Sequence, residues 1–236
     1  MCQSAKTSLV AWAVVTIIAL LIITRGRKNG IWNGFFILVF ILIQLLEFFI
    51  WWQRQKEGLS SSAEEAKTEG PDSLKNAPSG EAFVRLILIG LWLQPLTQTF
   101  MAYRYGNQKY RSLLLAITIA YFILFIWSIT KAFDSSIKFE AHPGPNGHLI
   151  WTRSDNTSFV GGKPLEFIYL AGLALGLLFM QPSLFGIMLV VLGGILALYT
   201  GKNYGQGQFA SMWCFYAVLY AFLALIMAFS RRVPMK

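Results

Sequence analysis

Ile31–Trp52, IWNGFFILVFILIQLLEFFIWW, is the stretch that decides the fold of this chain. Its one charged residue is Glu47. As a helix rising 1.5 Å per residue it would be about 33 Å long, enough to cross a hydrocarbon core of about 30 Å. Six more apolar runs flank it: Leu9–Thr24 before it, then Phe83–Met101, Leu113–Ile129, Leu165–Gln181, Leu184–Tyr199 and Phe209–Phe229. A spanning helix needs about 17 residues or more, and the runs at Leu9, Leu165 and Leu184 sit at that edge. The pattern predicts an all-α membrane protein, a bundle of seven transmembrane helices. Gln181-Pro182-Ser183 reads as a tight turn between the fifth and sixth, because the combined stretch is too long for one straight crossing.

Composition agrees. The 236 residues are 56% hydrophobic and 13% charged, with a mean hydropathy of +0.54. Soluble domains carry nearer 25% charge. Residues 1–236 read as one transmembrane domain with no room for a soluble catalytic domain. The net charge of +9 does not indicate nucleic acid, because the cations sit between apolar runs and the aromatics sit inside them.

The charges set an orientation. Arg25, Arg27 and Lys28, then Arg104, Lys109 and Arg111, then Arg231, Arg232 and Lys236 fall on one side of an alternating topology, without an acid among them. Short cation-rich loops stay in the cytoplasm, so the N-terminus is expected outside and the C-terminus inside. The first run is read as a retained helix, not a cleaved signal, because Arg25–Lys28 lies on the wrong flank.

Two long segments fall outside. Residues 53–82, with Ser60-Ser61-Ser62 and Gly70-Pro71, read as a flexible external linker. Residues 132–164 read as an external cap loop. In it Ser136–Ala141 and His148–Thr152 form a small β-hairpin between helices 4 and 5. Asn156-Thr157-Ser158 is a glycosylation sequon on that side.

Polar groups inside the runs carry the functional reading. Gln44, Glu47 and Trp51 share a helical face. A carboxylate there is costly unless paired, protonated or facing a polar cavity, so Glu47 is either a ligand or ion site or a structural tie. Gln94 and Gln98 flank Pro95 one turn apart, and either line a cavity or glue helices together. Arg85 either reaches Glu47 or snorkels. Gly172 and Gly176 allow close packing, within the chain in preference to dimerisation. Topology puts Cys2 and Cys214 near one oxidising face, where a disulfide or two inert thiols are both open. His142 and His148 are the two histidines, and no metal-binding spacing accompanies them. No metal or cofactor is expected, and retinal is excluded because Phe209–Phe229 has no lysine for a Schiff base.

Three segments together resemble a known pattern. Met1-Cys2-Gln3-Ser4-Ala5 is similar to a Met-Cys-Phe-Ser-Ala start, with Gln3 at the aromatic position. Gln44-Leu45-Leu46-Glu47 with Trp51 resembles Gln-x-x-Glu-x-x-x-Trp, and Ser211-Met212-Trp213-Cys214-Phe215 resembles Ser-x-Trp-Cys-Phe. The set is similar to multi-pass membrane families of unknown function from bacteria and large DNA viruses. The resemblance implies the helical bundle, emphasises Cys2, Glu47, Trp213 and Cys214, and implies no activity.

The expected function is therefore an outward-facing pocket for a small ligand or ion, in a transporter, channel or receptor-like binder. Its expected lining is Glu47, Gln44, Trp51, Gln94, Gln98, His148, Trp151 and Trp213. The rivals are an intramembrane enzyme, such as a metal-dependent lipid-modifying hydrolase, and a structural scaffold. The expected partners are the lipid bilayer and the small ligand. A homo-oligomer stays open, as does the choice among plasma membrane, endomembrane and virion membrane.

Overall fold

The computed structural model describes residues 4–25, 28–59, 80–143, 149–155, 159–179, 187, 190–191, 195 and 209–230. Six α-helices and one two-stranded sheet lie among them: α1 (Ala5–Thr24), α2 (Lys28–Lys56), α3 (Glu81–Tyr105), α4 (Arg111–Ala132), β1 (Phe139–Pro143), β2 (Leu149–Arg153), α5 (Lys163–Leu178) and α6 (Phe209–Ser230). A 3₁₀ turn, Gln108–Tyr110, leads into α4. Four stretches are long and apolar enough to cross a membrane: α1, α2, α3 and Gln108–Ala132. The run Leu184–Tyr199 lies mostly outside the described residues; Ile187, Val190, Val191 and Ile195 within it are helical.

Local chemistry sets the helix ends. Ser4 caps α1 through a reciprocal box with Thr7: the Ser4 Oγ accepts from the Thr7 N–H, and the Thr7 Oγ1 accepts from the Ser4 N–H. α2 runs past Trp52 to Lys56, four residues into the stretch read as linker. It stops in a Schellman motif. The Leu59 N–H donates to the Arg54 carbonyl and the Gly58 N–H to that of Gln55, with Gly58 at φ +72°. Residues 60–79 of that expected linker lie outside the described residues.

The helices alternate in direction. Arg25, at the end of α1, lies 3.9 Å from the ring centroid of Phe229 near the end of α6. Tyr110, leading α4, packs at 5.4 Å on Phe179, just past α5. That end carries Arg25, Lys28, Arg104, Lys109 and Arg111 and, among the described residues, no acid. The opposite end holds the hairpin, the end of α2 and the starts of α3 and α5.

α2 and α3 form the centre. α1 and α6 pack on α2; α4 and α5 pack on α3. The α1–α2 contact rests on Gly30 and Gly34, a small-xxx-small pair in GIWNG. A Cβ at Gly34 would stand 2.9 Å from the Ala19 carbonyl and 2.3 Å from Ile23 Cγ1. The outer face of α4, with Leu115, Ile119, Phe122, Ile123 and Ile126, is apolar and exposed.

The hairpin forms close to where the sequence places it, with β1 starting three residues later and β2 one residue later. Its strands pair antiparallel, Phe139 opposite Arg153, Ala141 opposite Trp151 and Pro143 opposite Leu149. Those six residues make its buried face. Four of them, Phe139, Ala141, Leu149 and Trp151, share one apolar cluster with Ile50 and Trp51 of α2 and Val84, Ile87 and Leu88 of α3. The hairpin thus sits as a lid on the α2–α3 pair.

Candidate functional site

Glu47 is wholly buried on α2, at 0% exposure, and Gln44 one turn earlier is at 1%. The Gln44 Nε2 donates to the Glu47 Oε2 at 2.8 Å. Trp51 lies one turn further along the same face and Arg54 the next; both are buried. One stripe therefore carries an amide, a carboxylate, an indole and a guanidinium, and its Trp51 shares the apolar cluster of the hairpin. Charged groups in such surroundings are costly unless neighbouring dipoles and charges offset the lost hydration. Arg54 was not singled out by sequence. Its signal is the i, i+7 spacing from Glu47, obscured because Arg54 falls just past the apolar run.

His142 of β1 is half-buried. Burial holds its imidazole below the usual histidine range; Glu140 opposes that shift and the charge of Arg54 adds to it.

Two further arginines fix the lid. Arg85 does not turn to Glu47. Its guanidinium pairs with Glu81 one turn back, Nη2 to Oε1 at 2.6 Å. It also donates to the carbonyls of Ala132 at 2.5 Å, Asp134 at 3.3 Å and Ile137 at 2.9 Å. Glu81 in turn accepts from the Phe139 N–H at 3.4 Å. This pair ties the start of α3 to the chain between α4 and β1. Arg153 is buried on the hairpin's inner face. It holds Asp155 through Nε to Oδ1 at 2.5 Å and Nη2 to Oδ2 at 2.6 Å, and lies about 6 Å from the rings of Trp127 and Phe139. The fork-to-fork bonds keep the Asp155 carboxyl below its usual range.

The other glutamines lie deeper. The Trp32 Nε1 donates to the Gln98 Oε1 at 2.7 Å. Trp32 precedes Glu47 by fifteen positions on α2, about 22 Å along the axis, and Gln98 lies within side-chain reach of Trp32. The structure therefore does not bring Gln98 to Glu47. The Tyr169 hydroxyl on α5 meets the Gln94 Oε1 at 2.5 Å. Near the Gln98 level, the Tyr220 hydroxyl on α6 meets the Asn33 Oδ1 at 2.6 Å. Each bond ties one helix to another.

Trp151 is buried beneath the hairpin, 5.7 Å from the Phe159 ring. Cys2, His148 and Asn156 lie outside the described residues, as do the side chains of Trp213 and Cys214 in α6. The disulfide and the glycosylation site fall there too. Among the described residues no three His, Cys, Asp or Glu side chains gather as a metal-binding group.

No protein-family model, curated protein or solved structure matches this chain.

Proposed function

We propose that this chain is a multi-pass membrane protein of seven spans, N-terminus outside and C-terminus inside, with a site for a small ligand or ion centred on Glu47 beneath the hairpin. Within this reading it belongs to the multi-pass families its three motifs resemble. The observation that carries the site is the fully buried Glu47 carboxylate, held by Gln44 on a stripe that continues through Trp51 and Arg54. Four helices of spanning length, an apolar outer face on α4 and an acid-free cationic end support the membrane placement. Gln44 and Glu47 supply polar contacts, and Trp51 supplies an aromatic wall suited to a cationic or amine ligand. Gln98 is too deep to share this site, and both Gln94 and Gln98 act as helix ties.

Native mass spectrometry of the detergent-purified protein, wild type against Glu47→Gln, tests it. A small molecule or ion bound to the wild type and lost from the folded variant is the expected result. Bound metal in stoichiometric amount would turn the reading towards an intramembrane enzyme. An empty wild type, with both forms equally stable, would leave Glu47 as a structural tie in a scaffold. That second reading draws on the way Gln94, Gln98 and Asn33 already serve as ties.

A further inference from the structure

The α3–α5 seam carries a second polar feature, separate from Glu47. Leu91, Gln94, Pro95 and Gln98 fall within about 100° of arc on α3 at 3.6 residues per turn. This stripe faces α5. A Cβ at Gly172 would stand 2.7 Å from Pro95 Cβ, and one at Gly176 would stand 2.2 Å from Gln98 Cγ. Both glutamines are at 0% exposure.

Their two ends differ. The carbonyl oxygens are taken, Gln94 by Tyr169 and Gln98 by Trp32. An indole N–H only donates, so the Gln98 oxygen must be the atom facing Trp32. The Gln94 Nε2 and Gln98 Nε2 are both buried and have no hydrogen-bond partner in the protein. An unmade bond at a buried donor costs about 1–3 kcal/mol, so two on one stripe call for an acceptor. Pro95 has no N–H, so the helical bond to the Leu91 carbonyl is not made, which leaves an acceptor on the same stripe. Donors and acceptor together suit a small neutral molecule that both accepts and donates. No cation lies at this depth among the described residues, which disfavours an anion. The close approach of Gly172 to Pro95 and of Gly176 to Gln98 limits that molecule to a small size.

We propose that this seam binds internal water, held by the Gln94 Nε2, the Gln98 Nε2 and the Leu91 carbonyl. Buried water of this kind makes about three hydrogen bonds to groups otherwise unsatisfied.

Selective ¹⁵N-glutamine labelling of the full chain in detergent, with water-to-amide NOE and ROE spectra, tests it. Gln94→Met and Gln98→Met assign the two side-chain resonances. The expected result is cross peaks to water at both, with NOE and ROE of opposite sign, the mark of long-held water. Their absence would overturn the proposal. Pro95→Ala restores an N–H to bond the Leu91 carbonyl, and should weaken the Gln94 cross peak at least twofold in a protein that stays folded. Unchanged cross peaks in that variant would overturn the three-point site. Neither result bears on ligand binding at Glu47, which is read by mass.

Discussion

Arg153 carries a full charge onto the inner face of a hairpin whose other members there are Phe139, Ala141, Pro143, Leu149 and Trp151. Asp155 makes that tolerable, so Asp155→Asn should cost about 1–3 kcal/mol, the range for a hydrogen bond to a buried charge. Thermal unfolding in detergent measures it. The pH dependence has a definite sign. The Asp155 carboxyl titrates lower in the fold, so its contribution is complete above about pH 4 and is lost as pH falls through the lowered value. His142 is also held low, by burial first, so folding favours its neutral form. Its contribution is present above about pH 6.5 and is lost as pH falls through its folded value. Midpoints measured from pH 8 down to pH 3 should fall in two stages, and His142→Gln should remove the first alone. Arg153 was legible in principle: it shares period-two spacing with Leu149 and Trp151, and an acid follows two residues later. Arg85 was so only in part. Its i, i+4 pairing with Glu81 has a spacing that sequence shows, but its bonds to the backbone carbonyls of residues 132, 134 and 137 have none, because no side-chain pattern announces a carbonyl.

At the scale of elements, hydropathy read the first four helices to within a few residues, because a membrane-length apolar run has few other fates. It missed the ends. Capping by Ser4 and the Schellman stop at Gly58 are hydrogen-bond features outside the apolar runs. Glycine spacing was read in one place and overlooked in another. Gly172 and Gly176 seat α5 on α3 and α4, while Gly30 and Gly34 seat α1 on α2. The prediction is specific. Gly176→Ala meets the Gln98 side chain at 2.2 Å and its carbonyl at 2.9 Å, and Gly34→Ala meets the Ala19 carbonyl at 2.9 Å. Backbone cannot swing aside, so each should destabilise by about 1–3 kcal/mol. Gly90→Ala meets only the end of Ile43, at 3.0 Å, and should be close to neutral or gain from helix propensity. Thermal midpoints of the three variants order them directly. The depth of Gln98 was invisible for a related reason: sequence gives the face of a helix, while depth against a neighbour is set by packing register.

For the whole molecule, the proposed orientation makes opposite claims about two exposed positions. Glu57 follows α2 at the hairpin end, and Lys109 precedes α4 at the cationic end. With the native cysteines replaced, Glu57→Cys should react with a membrane-impermeant maleimide on intact cells. Lys109→Cys should react only after permeabilisation. The reverse pattern would invert the map, and labelling of both on intact cells would refute alternation between the two ends.

The length of α2 has a consequence for the electrical behaviour of the proposed site. Its 29 residues extend about 43 Å against a hydrocarbon core of about 30 Å. Glu47 stands nine residues, about 14 Å, from the Lys56 end. With the excess shared between both ends of an upright helix, the carboxylate lies about 7 Å inside the boundary, roughly a quarter of the way across. A charge moved across the full membrane gains about 2.3 kcal/mol per 100 mV. A monovalent ion reaching Glu47 from outside would feel about a quarter of that. Its affinity should change by only about threefold per 100 mV, so such a site would respond to concentration far more than to membrane voltage.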